Sequence, residues 1–253
     1  MTIFRHISFR AFLPCMLTFF LIAGCASNSN DESAKVTYLF KKANDLSKKK
    51  DYFTAIDYYK KVLEDYPDSR ERVMSLLRLG YVNYKEKNYP EAKHSFDKFI
   101  ELYPAHPKVD QAHFYRAMSY FKVIELASRD QTATRSALEG FQNLVEEFPN
   151  SSYRPRALDK IKECKNQLAA HMLEIGKFYF ETGAYQSAIR RFNDLLTVYP
   201  AQDFSDQAVF LLAESYFNEQ NYPKARVSYN QLLDQYPESS FAKEALARLK
   251  ALR

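Results

Sequence analysis

Few side chains in this 253-residue chain are placed to make or break bonds. The thiols are Cys15, Cys25 and Cys164. The histidines beyond the N-terminal segment are His94, His106, His113 and His171, and none of them stand at spacings that hold a metal. They read as helix-surface or capping residues. There is no His-Glu-x-x-His and no Gly-x-Ser-x-Gly. Five scattered glycines (Gly24, Gly80, Gly140, Gly176, Gly183) exclude Gly-x-x-x-x-Gly-Lys and Gly-x-Gly-x-x-Gly loops that cradle phosphates. Adjacent carboxylates such as Glu146-Glu147 read as solvated helix charges, and Cys164 as a core or boundary residue. The expectation is a protein that is not an enzyme, with no cofactor and no metal.

Cys25 is the exception, and the segment before it says why. Arg5, His6 and Arg10 precede an apolar run of thirteen residues, Ala11–Ala23, interrupted only by Thr18. A membrane-spanning helix needs about 20 residues, so this run reads as the core of a signal peptide. It ends in Leu21-Ile22-Ala23-Gly24-Cys25, which resembles a bacterial lipobox: a branched residue, two small ones, then the cysteine. The resemblance implies cleavage after Gly24 and lipidation of Cys25, and several acyl chains anchor stably where one is marginal. Ala26 stands where Asp would imply retention, so the implied destination is the outer membrane, periplasmic side. The domain reading is 1–24 signal peptide, 25–34 flexible lipidated tether and 35–253 folded. Cys164 is then the only thiol left in the folded part, so no intramolecular disulfide is expected even in an oxidising compartment.

The net charge is +5, and loss of Arg5 and Arg10 leaves +3. Those charges are mixed along the chain rather than massed, so no nucleic-acid footprint is expected. So few glycines argue against a β-rich fold. The elements must be helices, and they repeat. Five alanines align, Ala55, Ala92, Ala137, Ala188 and Ala225. Four residues after each stands an aromatic: Tyr59, Phe96, Phe141, Phe192, Tyr229. Twelve after each stands Pro67, Pro104, Pro149, Pro200 or Pro237, always preceded by Tyr or Phe. Twelve before stands a small residue, Ala43, Gly80, Gly176 or Ala213, and Ala117 fills that role in the third copy if eight residues are inserted. Steps of three and four put these side chains on one helical face. The paired small residues let two helices approach closely, and Pro stops the second helix.

The pattern resembles the tetratricopeptide repeat. That resemblance implies an all-α, right-handed α-solenoid of five helix pairs plus a capping helix. The repeats fall at about 35–69, 70–107, 108–152, 153–202 and 203–238, with the cap at 239–252. The uneven steps predict a loop around 125–130 in the third repeat and one long helix over 156–181 in the fourth. With the small residue numbered as position 8, positions 5 and 12 recur as apolar and are expected in the core. Positions 2 and 9 do not recur and are expected on the concave side, where Met74, Tyr81, Gln111 and Met118 would form a groove for an apolar or aromatic peptide.

Three stretches narrow the resemblance: Pro104-Ala-His106-Pro107-Lys-Val-Asp110; Arg135-Ser-Ala137 with Phe148-Pro149-Asn150-Ser151-Ser-Tyr153; and Phe178-Tyr179 with Ala188-Ile189-Arg190-Arg191-Phe192. With the lipobox and five repeats they resemble the BamD (ComL/YfiO) family of lipoproteins in the outer-membrane β-barrel assembly (BAM) machine. The resemblance implies a scaffold whose C-terminal repeats bind the last POTRA domain of BamA, and whose N-terminal repeats meet targeting strands of unfolded outer-membrane β-barrel proteins. Other BAM lipoproteins are further implied partners. Arg191 matches an arginine that the family sets against an acidic residue of BamA, and Arg190, where a neutral residue is usual, could share the contact. The alternative is a lipoprotein adaptor for another envelope complex, serving cell division or peptidoglycan enzymes.

Overall fold

The computed structural model describes residues 26–124, 131–200 and 202–252. The signal peptide, Cys25 and the loop expected at 125–130 lie outside the described residues. Eleven helices and no strand occur among those described: α1 Ala26–Lys48, α2 Tyr52–Asp65, α3 Glu71–Lys85, α4 Tyr89–Leu102, α5 Val109–Ile124, α6 Thr132–Glu147, α7 Arg154–Glu181, α8 Tyr185–Val198, α9 Ser205–Asn218, α10 Tyr222–Gln235 and α11 Ala242–Ala251. The chain divides within α3, between Leu79 and Gly80, into two compact units.

The repeat offsets are packing rules. All five aligned alanines and all five aromatics four residues on are fully buried. At position 8 the contact is closest where the residue is glycine. A methyl on Gly80 would lie 2.7 Å from the Phe96 ring, and one on Gly176 would lie 2.5 Å from Phe192. Proline ends every second helix, and the turn that follows closes in the same way in four of the five repeats. Ser69, His106, Ser151 and Ser239 each donate their backbone N–H to the carbonyl of the aromatic three residues back.

In the second unit the core forms three linked clusters. Phe114, Ala117, Phe121, Phe141, Leu144, Ala157 and Cys164 join α5, α6 and the first half of α7. Leu173, Ala188, Phe192, Leu195 and Leu212 join the second half of α7 to α8 and α9. Val209, Phe210, Tyr229, Leu232 and Ala245 join α9, α10 and α11. The 28-residue α7 thus serves two cores. Its fourteen residues beyond the 37-residue step are close to four turns, so one face stays aligned through both.

Two expectations need correction. Residues 26–34, within the tether expected at 25–34, form the first turns of α1, where Lys35 and Asp31 pair at 2.7 Å across one turn. Position 9 is not a uniform concave row. Asn44 accepts from the Tyr59 hydroxyl at 2.8 Å, and buried Glu214 accepts from the Tyr229 hydroxyl and from Arg248 Nη2 at 2.9 Å. The cause lies in the aromatic. A buried tyrosine hydroxyl needs an acceptor, and position 9 supplies it in the first and fifth repeats. In the other three the aromatic is phenylalanine, and position 9 is Tyr81, Met118 or Lys177.

Candidate functional site

The two inter-repeat turns that flank α5 and α6 bring the first two distinctive stretches together. Pro104-Ala-His106-Pro107 and Glu147-Phe148-Pro149-Asn150-Ser151 line one cleft of about 510 Å³. Its floor is a latch: Ser151 Oγ donates to Asp110 Oδ2 at 2.6 Å and accepts from Tyr153 N at 3.1 Å. Asp110 also takes the N–H of Gln111 at 2.7 Å, in the first turn of α5, where a carboxylate complements the helix dipole. The same latch recurs between Ser239 and Asp206 at 2.6 Å. Sequence reading singled out Asp110 and Ser151 without linking them.

Beside the latch, aromatic side chains gather on α3, α5 and the turn into α7. The Tyr115 ring lies 5.2 Å from Tyr81, 5.2 Å from Tyr84 and 6.0 Å from Tyr153. Arg156 stacks 4.6 Å above the Phe114 ring. Burial raises the hydroxyls of Tyr115 and Tyr153, with Arg156 pulling the other way, so both stay protonated donors at neutral pH. Half-buried rings with polar rims suit an extended peptide of apolar and polar residues. Tyr115 and Tyr153 fell outside the expected groove. Tyr115 is offset by one residue from a core position, and Tyr153 is in a turn.

Of the four groove residues expected, Tyr81 and Gln111 are half-buried beside this cluster. Met118 is 6% exposed and packs in the core with Phe114 and Phe141, so it offers no open surface. Met74 is half-buried in the other compact unit.

Arg190 and Arg191 lie on the outer face of α8, opposite Ala188, Ile189, Phe192 and Leu195. Both are exposed. Arg190 donates to Ser187 Oγ at 3.1 Å. Arg191 has no hydrogen bond or ion pair among the described residues, and its guanidinium is free for a carboxylate in the fork geometry arginine favours.

Of the remaining reactive groups, Cys164 and His113 are buried, while His94 is exposed. Burial pushes the Cys164 thiol up to about 12, which leaves no thiolate at neutral pH. His113, expected on a surface, is instead 8% exposed and packs against the Phe148 ring at 5.1 Å. Burial lowers its pKa. His106 does cap locally, its Nδ1 accepting from Lys108 N at 3.1 Å. No helix among the described residues is long and apolar enough to cross a membrane.

The profile of the family described as YfiO, outer membrane lipoprotein, matches residues 32–221, and a tetratricopeptide-repeat profile matches 207–239. A Caulobacter vibrioides relative named outer membrane protein assembly factor BamD is 32% identical over 199 residues, 77% of this chain and 65% of its own length. A relative of the same name from Haemophilus influenzae is 33% identical over 206 residues, 77% of this chain and 79% of its own. One from Rickettsia prowazekii is 28% identical over 197 residues, 77% and 78% of the two chains. The chain spans about two thirds of the length of the Caulobacter relative. With a profile over most of its length and a one-third-identical relative covered to 79%, the chain belongs to the YfiO family of outer membrane lipoproteins.

Proposed function

We propose that the chain is a non-catalytic scaffold for the assembly of β-barrel outer membrane proteins, anchored through Cys25 and facing the periplasm. The observation that carries this reading is the family match over residues 32–221, with relatives named as assembly factors. The exposed pair Arg190-Arg191 docks an acidic patch on the last POTRA domain of BamA, with Arg191 as the principal contact. Its support is a free guanidinium on a helix whose packing face is already filled. The half-buried rings of Tyr81, Tyr115 and Tyr153, with Gln111, take the alternating strands of unfolded barrel substrates.

Affinity isolation of the tagged lipoprotein from detergent-solubilised envelopes tests the assembly role. The expected eluate contains a large β-barrel protein with POTRA domains. Recovery of a murein hydrolase in its place would sink the reading and favour an adaptor of peptidoglycan enzymes. Arg191→Glu should cut recovery of the barrel protein at least about tenfold, the effect of losing a desolvated charge pair. The melting temperature should be unchanged, because the side chain makes no packing contact. Undiminished recovery removes Arg191 from the interface.

A further inference from the structure

We propose that the outer face of α1 rests on an anionic phospholipid surface, so that the lipid anchor and the first helix hold the membrane together. The proposal goes beyond the assembly role and rests on lipidation at Cys25, the residue immediately before Ala26, where α1 begins. With α1 beginning at Ala26, the residue after Cys25 in the sequence, little chain separates the helix from the anchor. The chain can stand away from the bilayer or lie along it, and the side chains decide which.

The inner face of α1 carries Val36, Phe40 and Ala43, of which Val36 and Ala43 are buried. The opposite face carries Lys35, Tyr38, Lys41 and Lys42, at helical steps of three, four and seven, and Lys49 follows in the turn just past the end of α1. All five are exposed, and Tyr38 keeps 62% of its surface. Between residues 31 and 51 there are six lysines and four acids, Asp31, Glu32, Asp45 and Asp51. Lys35 is paired with Asp31, and Lys48 approaches Asp45 at 3.9 Å. Lys41, Lys42 and Lys49 have no ion pair among the described residues.

A terminal solenoid helix needs a polar outer face for solubility, yet solubility does not ask for unpaired cations grouped together. The helix dipole accounts for cations in the last turn, but Lys41 and Lys42 lie two turns earlier. A row of unpaired lysines around one exposed tyrosine matches a surface of anionic headgroups, with the ring at the interface. The stripe from Lys35 to Lys42 runs about 11 Å along the helix, with Lys49 in the turn beyond, so α1 must lie flat for all of it to touch.

The test uses the full lipidated chain in vesicles of phosphatidylcholine alone, or with about 30% phosphatidylglycerol, probed by amine acetylation and mass spectrometry. Lys41, Lys42 and Lys49 should react about threefold or more slowly on the anionic vesicles, and about 0.5 M salt should abolish the difference. Lys243 and Lys250 serve as internal controls and should not change. The double variant Lys41→Gln, Lys42→Gln should return Lys49 to its rate on neutral vesicles. Equal rates on both vesicles, or equal slowing at the control lysines, overturn the proposal. Flotation separates the failures. A chain that floats but shows equal rates keeps its anchor and loses only the lipid face, and a chain that floats with neither vesicle loses both. The assembly role is read independently, from the partner recovered in affinity isolation.

Discussion

Gly80 and Gly176 set how closely the helices of their repeats approach, because each faces an aromatic ring that has nowhere to go. Phe96 and Phe192 are fully buried. In an open helix, Gly→Ala gains about 1 kcal/mol of helix propensity. Here the methyl at position 176 would sit 2.5 Å from the Phe192 ring, and overpacking costs about 1–3 kcal/mol. Gly176→Ala should therefore lower stability in urea melts by up to about 2 kcal/mol net, and adding Phe192→Leu should recover part of the loss. A stabilised single variant would show that α7 and α8 can spread. His113 acts at the same scale but through pH. Its Nδ1 is buried without a partner. Burial lowers its pKa below the ordinary 6.5, Arg116 adds to the lowering, and Glu147 and Asp110 oppose it. The unfolded chain then takes up the proton first. Stability from the neutral imidazole is full above pH 6.5 and falls as pH drops toward the folded-state value, by up to about 1.4 kcal/mol per pH unit. Urea midpoints between about pH 7.5 and 5.5 should show this slope, and His113→Leu should lose it relative to the parent; an identical slope in the variant would assign the effect to other groups.

The turns joining the two helices of a repeat show where this chain gives up stability. Lys50, Lys87 and Gln220 have φ of 64°, 63° and 57°, and Gly183 has φ of 75°. Each turn closes with the same six-residue bond, such as Asn88 N to Asn83 O at 2.9 Å and Ala184 N to Tyr179 O at 2.9 Å. The left-handed conformation costs a side chain about 1 kcal/mol, and glycine escapes it. Lys50→Gly, Lys87→Gly and Gln220→Gly should each raise stability by up to about 1 kcal/mol. Gly183→Ala should lower it by a similar amount, although nothing lies within 4 Å of the added methyl. Calorimetry on the four variants checks the sign, and a loss on all three glycine substitutions would refute the backbone argument. The helices and their partners were legible in the sequence because core positions tolerate so little: the alanine, the aromatic and the proline recur at fixed offsets. The start of α1 was not, since Ala26-Ser-Asn-Ser-Asn has no apolar period, and pairing of Asp31 with Lys35 becomes visible only once a helix is assumed. Taken alone, position 9 shows no rule in the sequence. Set beside the aromatic, Asn44 and Glu214 accompany tyrosine, and the rule was already present in the chain. Tyr115 and Tyr153 gave no such signal, since an element's core face does not say which rings from its flank will meet.

Within the second unit, stability is passed along a row of cores rather than stored in one. The first two clusters share α7, and the last two share α9 and Leu196 of α8, so each is coupled to the next and not to the one beyond. Such an array responds locally to damage. The last link is held by Glu214, whose carboxylate accepts Arg248 Nε and Nη2, both at 2.9 Å, and the Tyr229 hydroxyl. Arg248 also covers the Phe217 ring at 4.9 Å, and Phe241 stacks on Phe210 at 4.8 Å. Removing the guanidinium leaves a buried carboxylate with the tyrosine alone. Breaking a buried pair costs about 3–5 kcal/mol, and because Arg248 keeps 38% of its side-chain surface, water replaces part of it and about 1–3 kcal/mol is expected. Arg248→Ala should therefore accelerate amide exchange strongly in α10 and α11, weakly in α8, and not in α5 and α6. Replacing both groups, Glu214→Leu with Arg248→Met, should restore protection, since an apolar pair needs no partner. Exchange that quickens equally from α5 to α11 would mean that the second unit unfolds as one cooperative block and that its cores are not separable links.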